Sequence, residues 1–110
     1  LDVEIDLGRV ESVKEISTGF LHNINDWIFQ PLSVTYEVSV DGRAYHAAGT
    51  VSSTIPMRHG EIVKQYFTKK IGGVEARYIH VVARSIKYCP EWHKGAGRKA
   101  WLFVDEIVVR

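Results

Sequence analysis

A chain of 110 residues is the length of one domain and long enough to bury a core, so a single unit spanning residues 1–110 is expected. Its 45% hydrophobic and 25% charged residues are those of an ordinary globular domain. Fourteen basic against thirteen acidic residues leave a net charge of +1 with no segment gathering one sign, which argues against nucleic-acid binding through a basic face. No apolar run approaches the roughly 20 residues of a membrane-spanning helix, so no membrane insertion is expected.

Cys89 is alone, which rules out an internal disulfide and leaves the fold to rest on its core. The chain opens at Leu1 inside a strand-like pattern, with neither an initiator methionine nor a signal segment, so a piece of a longer protein is expected.

In chain order, Val3, Ile5 and Leu7 alternate with Asp2, Glu4 and Asp6, the period of two that makes a half-buried strand, and Gly8 ends it. Val13 to His22 is rich in β-formers, and the interior Gly19 marks a bulge or a close backbone contact. The Asx residues and Pro31 of HNINDWIFQP predict a loop. Val34, Tyr36, Val38 and Val40 form the clearest strand, followed by Asp41-Gly42, the dipeptide of a two-residue type I′ hairpin, and a return strand from Ala44 to Gly49.

Residues 51–61 predict a further loop and Ile62 to Ile71 a strand, with Gly72-Gly73 turning the chain into a strand from Ala76. Pro90, Trp92, His93, Gly95 and Gly97 mark a loop from Cys89 to Lys99. The closing strand, Ala100 to Val109, is too apolar for a solvent-facing edge. About seven strands with turn signals between them, and no sustained helical period, predict an all-β antiparallel β-sandwich.

If each connection reverses the chain, alternate loops fall at the same end. The loops 23–31, 51–61 and 89–99 then share one end and gather Trp27, Phe29, Arg58, His59, Trp92, His93 and Arg98. A ligand belongs there rather than among the short turns opposite.

Enzymatic chemistry finds little support in these residues. Asp105 and Glu106 are strand neighbours whose side chains point to opposite faces, so they cannot face each other across a scissile bond. Asp26 and Glu91 are expected to be solvated loop carboxylates. Cys89 and His93, with His22 or His59, lack the paired spacing of a structural zinc site, and no family signature of a cysteine nucleophile surrounds Cys89. Trp101 is expected in the core and Phe29 to pack inward. Trp27 and Trp92, on loops, are either a plug closing the end of the sandwich or a platform on which the apolar face of a sugar stacks.

Taken together, VEIDLG, GFLHNINDWIFQPLSVTYEVSVDG and ARYIHVVARSIKYCPEWHKGAGRKAWLFVDEI resemble the coagulation factor five/eight type C (discoidin) domain. More narrowly, they are similar to the C-terminal domain of Bacteroides-type glycoside hydrolase family 20 β-N-acetylhexosaminidases (chitobiases). The resemblance covers nearly the whole chain. It implies an eight-stranded discoidin-like jelly roll, here without its first strand, that is itself non-catalytic and binds galacto- or N-acetylhexosamine glycans through loops at one end. The family leaves the sugar-contacting residues open; from their clustering on loops expected to share one end, Trp27 and Trp92 would stack on the sugar, with His59, His93 and Arg98 donating hydrogen bonds.

The resemblance also implies a parent catalytic domain as partner, on which this domain would alternatively dock without binding sugar, and a place in the periplasm or at the outer surface. Glu106 matches one ligand of the family's structural calcium. The other ligands belong to a loop that would precede Leu1, so calcium is expected only in the intact domain.

Overall fold

A computed structural model describes all 110 residues. The chain forms β1 (Asp2–His22), a short 3₁₀ turn (Ile24–Asp26), β2 (Ser33–Ser39), β3 (His46–Ser52), β4 (Val63–Arg84) and β5 (Phe103–Val109). All strands pair antiparallel in one sheet of order β3-β2-β4-β1-β5. The all-β antiparallel expectation holds, but five strands replace the expected seven. The Gly8 and Gly72-Gly73 signals mark bends inside β1 and β4 rather than strand ends.

Register shows how those bends work. Asp6 pairs with Tyr78 and Glu11 with Ala76, so residues 7–10 of β1 face only Arg77; Val13 pairs with Val74 and Glu15 with Lys70, so residues 71–73 of β4 face only Lys14. Surplus residues first on one strand and then on the other bend both at the same place, as bulges do. Gly72 and Gly73 both have positive φ (73° and 91°), a conformation costly to residues with a Cβ.

The bend folds the sheet over itself. One half holds β3, β2, the C-terminal part of β4 and the N-terminal part of β1, and the other holds the remaining parts of β4 and β1 with β5. The period of two then decides the core. Ile79, Val81 and Ala83 lie across from Val38, Tyr36 and Val34 in the first half, and they pack with Val13, Ile16, Phe20 and Phe67 of the second.

The halves are tied by Tyr36, whose buried hydroxyl donates to the Phe67 carbonyl (2.6 Å) and meets Thr18 Oγ1 (2.8 Å). The result is sandwich-like, made from one continuous sheet.

Three details differ from the sequence reading. Strand β3 starts at His46, and Asp41 does not build a two-residue turn. Its Oδ1 accepts from the backbone N–H of Arg43 and Ala44 and from Ser39 Oγ, which widens the loop to residues 40–45. Strand β5 is an edge strand despite its apolar composition, because it pairs with β1 alone. Phe103 and Val104 are consequently exposed. Gly19 lies beside a bulge and makes a close contact: it pairs with Glu106 and Phe20 with Val104, so Asp105 of β5 is the surplus residue, and a Cβ at Gly19 would lie 2.8 Å from the Tyr66 ring.

Candidate functional site

At one end of the folded sheet, Ser33 pairs with Ser52 and Arg84, while His22 pairs with Val63 and Leu21 with Phe103. The connections 23–32, 53–62 and 85–102 all bridge from the first group to the second, so they lie together at that end. The two bends and the 40–45 loop lie at the other.

Buried polar groups stitch these connections to each other. Gln30 is fully buried: its Nε2 donates to the Ile55 carbonyl (2.6 Å) and its Oε1 accepts from Ser53 Oγ (3.0 Å). His22 is likewise buried. Its Nδ1 accepts the Gln30 backbone N–H (3.3 Å), so the other nitrogen carries the hydrogen and donates to the His59 carbonyl (3.1 Å). Burial holds His22 below the ordinary imidazole range, against the opposing effect of its bond to His59.

His93 works in the same way. Its Nδ1 accepts the Gly95 N–H (2.9 Å) and its Nε2 donates to the Ile24 carbonyl (2.6 Å), with only 8% of the residue exposed. Both ring nitrogens are spent inside the protein, so His93 pins two loops together and has no donor free for a ligand. Trp27, half-buried, lies against Gly95 and edge-on to His93 (5.9 Å between centroids). Trp92 stacks edge-on with Phe29 and His93, and the Arg58 guanidinium covers its ring at 4.9 Å.

These rings form an interlocked layer that closes the end of the core. Phe29 packs inward as expected. His59 contributes its backbone carbonyl to the layer through His22, and Arg98 is exposed at the base of the 89–98 loop, where its carbonyl accepts the Cys89 N–H (2.7 Å).

The open aromatic surface lies beside this layer. Trp101, expected in the core, is 58% exposed, and Tyr88 is 63% exposed. Both line a groove of about 450 Å³ with Leu1, Lys87, Lys99 and Leu102. The backbone builds the groove as a small hairpin: Tyr88 bridges antiparallel to Lys99, and the Ala100 N–H donates to the Lys87 carbonyl at 2.9 Å. Trp101 is fixed from the other side, since its N–H donates to Trp27 O and its carbonyl accepts from Phe29 N–H. The interlocked, partly buried aromatic layer therefore sets the position of the exposed pair.

Sequence reasoning missed this pair because Trp101 was placed by its apolarity. The usable signal was alternation: Leu102 packs against the core, which directs its neighbour Trp101 outward.

No group of three or more His, Cys, Asp or Glu side chains converges as a metal site would require. Glu106 is exposed and its Oε1 accepts the Tyr66 hydroxyl (3.2 Å), while Asp105 pairs with Lys64 (3.0 Å). These residues do not fit the six to eight oxygens of a calcium ion. Cys89 is buried with its thiol directed at the Lys99 carbonyl (4.0 Å), away from any metal-ligand partner.

No family model matches the chain, and no curated protein matches it. Among solved structures it is similar to the C-terminal domain of a chitobiase from Bacteroides fragilis, with a TM-score of 0.56 and 19% identity. The match covers 99% of this chain and 61% of that structure. At that identity the likeness shows a shared fold. The chain spans about three-fifths of the length of the structure it matches.

Proposed function

We propose that the chain is a discoidin-like, non-catalytic accessory domain of an exported β-N-acetylhexosaminidase-like glycoside hydrolase. On this reading it binds galacto- or N-acetylhexosamine glycans at its loop end. The observation that carries the reading is the pair of exposed aromatic side chains, Tyr88 and Trp101, lining one groove. The fold shared with a chitobiase C-terminal domain supports the hexosaminidase context.

A sugar ring presents an apolar C–H face that stacks on an indole or phenol, and an exposed ring held by backbone bonds is preorganised for that contact. Trp27, Trp92 and His93 then act by supporting the groove from beneath. Arg98, exposed at the base of the 89–98 loop and next to Lys99 in the chain, is the side chain that would meet a hydroxyl.

Affinity electrophoresis in gels containing soluble chitin oligosaccharide or galactan tests the reading. Retardation of the wild-type chain that is lost in Trp101→Ala supports it. Equal mobility with and without polysaccharide overturns it.

A second reading, docking on the parent catalytic domain without sugar binding, is favoured by one observation: β5 leaves an unpaired edge with Phe103 and Val104 exposed. If docking is the role, Phe103→Ser lowers the thermal stability of the full enzyme and leaves polysaccharide retardation at background.

A further inference from the structure

The groove carries charge as well as aromatic surface, and the charge is of one sign. Two of its side chains are the ammonium groups of Lys87 and Lys99, and no acidic side chain lines it. Lys99 Nζ lies 5.5 Å from the centroid of the Trp101 ring, so a cation sits beside the indole face. The chain as a whole carries nearly balanced charge, so the two ammonium groups with no carboxylate between them are a local excess.

Lys87 is placed there at a conformational cost. Its φ is +69°, one of only two non-glycine residues in the left-handed region. Such a residue persists where surrounding structure fixes it. Here the Tyr88 N–H donates to Ile86 O (2.8 Å) and Ala100 donates to Lys87 O (2.9 Å), locking the turn that places Lys87 in the groove wall.

An aromatic plane takes the apolar face of a sugar, and neighbouring ammonium groups take an anionic substituent. Resting on the carbohydrate reading above, we propose that this groove selects anionic saccharides, those carrying a carboxylate or a sulfate ester, over neutral ones. Tyr88 and Trp101 bind the ring, while Lys87 and Lys99 bind the charged group. The contribution of exposed charge pairs is modest and screened by salt. The expected preference is therefore about five- to tenfold at low ionic strength and shrinks as salt rises.

The test is an NMR titration of the chain, extended by a few neutral residues ahead of Leu1 so that the α-amine contributes no charge to the groove. N-acetylglucosamine, N-acetylglucosamine 6-sulfate and glucuronate are compared at 20 mM and 300 mM salt. The proposal expects tighter binding of both anions at low salt, with shifts centred on residues 87–88 and 99–101. That preference is lost in Lys87→Gln/Lys99→Gln, while weak binding of the neutral sugar is kept.

Equal affinity for neutral and anionic sugars overturns the proposal and leaves the carbohydrate reading standing. A preference that survives in the double variant overturns it as well. Binding of neither class overturns both.

Discussion

At the scale of single residues, two histidines respond to acid in opposite directions. His80 lies on the outer face of the sheet between Asp2 (2.5 Å) and Glu37 (2.9 Å), with the Tyr45 ring edge-on at 5.8 Å. The hydrogen bond to Asp2, and beyond it that to Glu37, raises the imidazole above its ordinary value of 6.5, with burial opposing. A raised native pKa stabilises the fold fully below pH ~6.5 and loses that stabilisation as pH rises through the native value. His80→Gln should therefore cost more stability at pH 5.5 than at pH 8.5, as read from melting temperatures at the two pH values; a cost independent of pH would contradict the assignment.

His22 behaves conversely. Its neutral form is needed to accept the Gln30 N–H, and burial lowers its native pKa. Its contribution is complete above pH ~6.5 and is lost as pH falls below that. His22→Gln should narrow the deficit to wild type as pH falls from 7.5 to 5, with the protection factor of the Gln30 amide, exchange relative to its intrinsic rate at each pH, falling in wild type over the same range.

Elements are where the sequence was partly legible. Alternation in Val3-Ile5-Leu7, Val34-Tyr36-Val38 and Ile79-Val81-Ala83 marked the inner face correctly, because burial of one face is a local property of a strand. The sequence could not distinguish a turn from a bend at Gly8 or Gly72-Gly73. Positive φ serves both, and only the partner strand's register separates them. The exposure of Trp101 and Phe103 was hidden for a related reason: whether a strand lies at an edge depends on which strands pair, and composition does not report that.

The loop cluster was readable as a cluster, since reversals can be counted. Its division into an interlocked, partly buried aromatic layer and an open groove was not.

Two substitutions test the element-level account. Tyr36→Phe removes the hydroxyl joining Thr18 and the Phe67 carbonyl across the two halves of the sheet. The expected loss is about 1–3 kcal/mol in chemical denaturation with an unchanged m-value, as for a buried group left without its partner. Gly95→Ala would bring a Cβ to 3.0 Å from three atoms of the Trp27 ring, which is held from its other contacts by His93. Destabilisation of about 1–3 kcal/mol, with a shift in the Trp27 fluorescence or indole resonance, is the expected result. Wild-type stability in that variant would mean the ring is free to move and the layer is not interlocked.

For the molecule as a whole, one sheet folded at a double bulge performs two tasks. It buries a core between its own halves, and it brings three long connections to a common end while the opposite end carries only bends and one loop. Hydrogen bonds from Gln30, His22 and His93 fix those connections to one another, so the groove between Tyr88 and Trp101 rests on a rigid layer. Rigid support is what a weak, stacking-based binding site requires, because little binding energy is then spent on ordering side chains.

The three tryptophan indole N–H resonances, followed by ¹H–¹⁵N correlation during titration with N-acetylglucosamine and galactose to millimolar excess, test this account most directly. The account predicts that Trp101 moves first and furthest with at least one of the two sugars, with Trp27 and Trp92 following weakly. Movement of Trp27 or Trp92 alone, or no movement of any of the three, would contradict it.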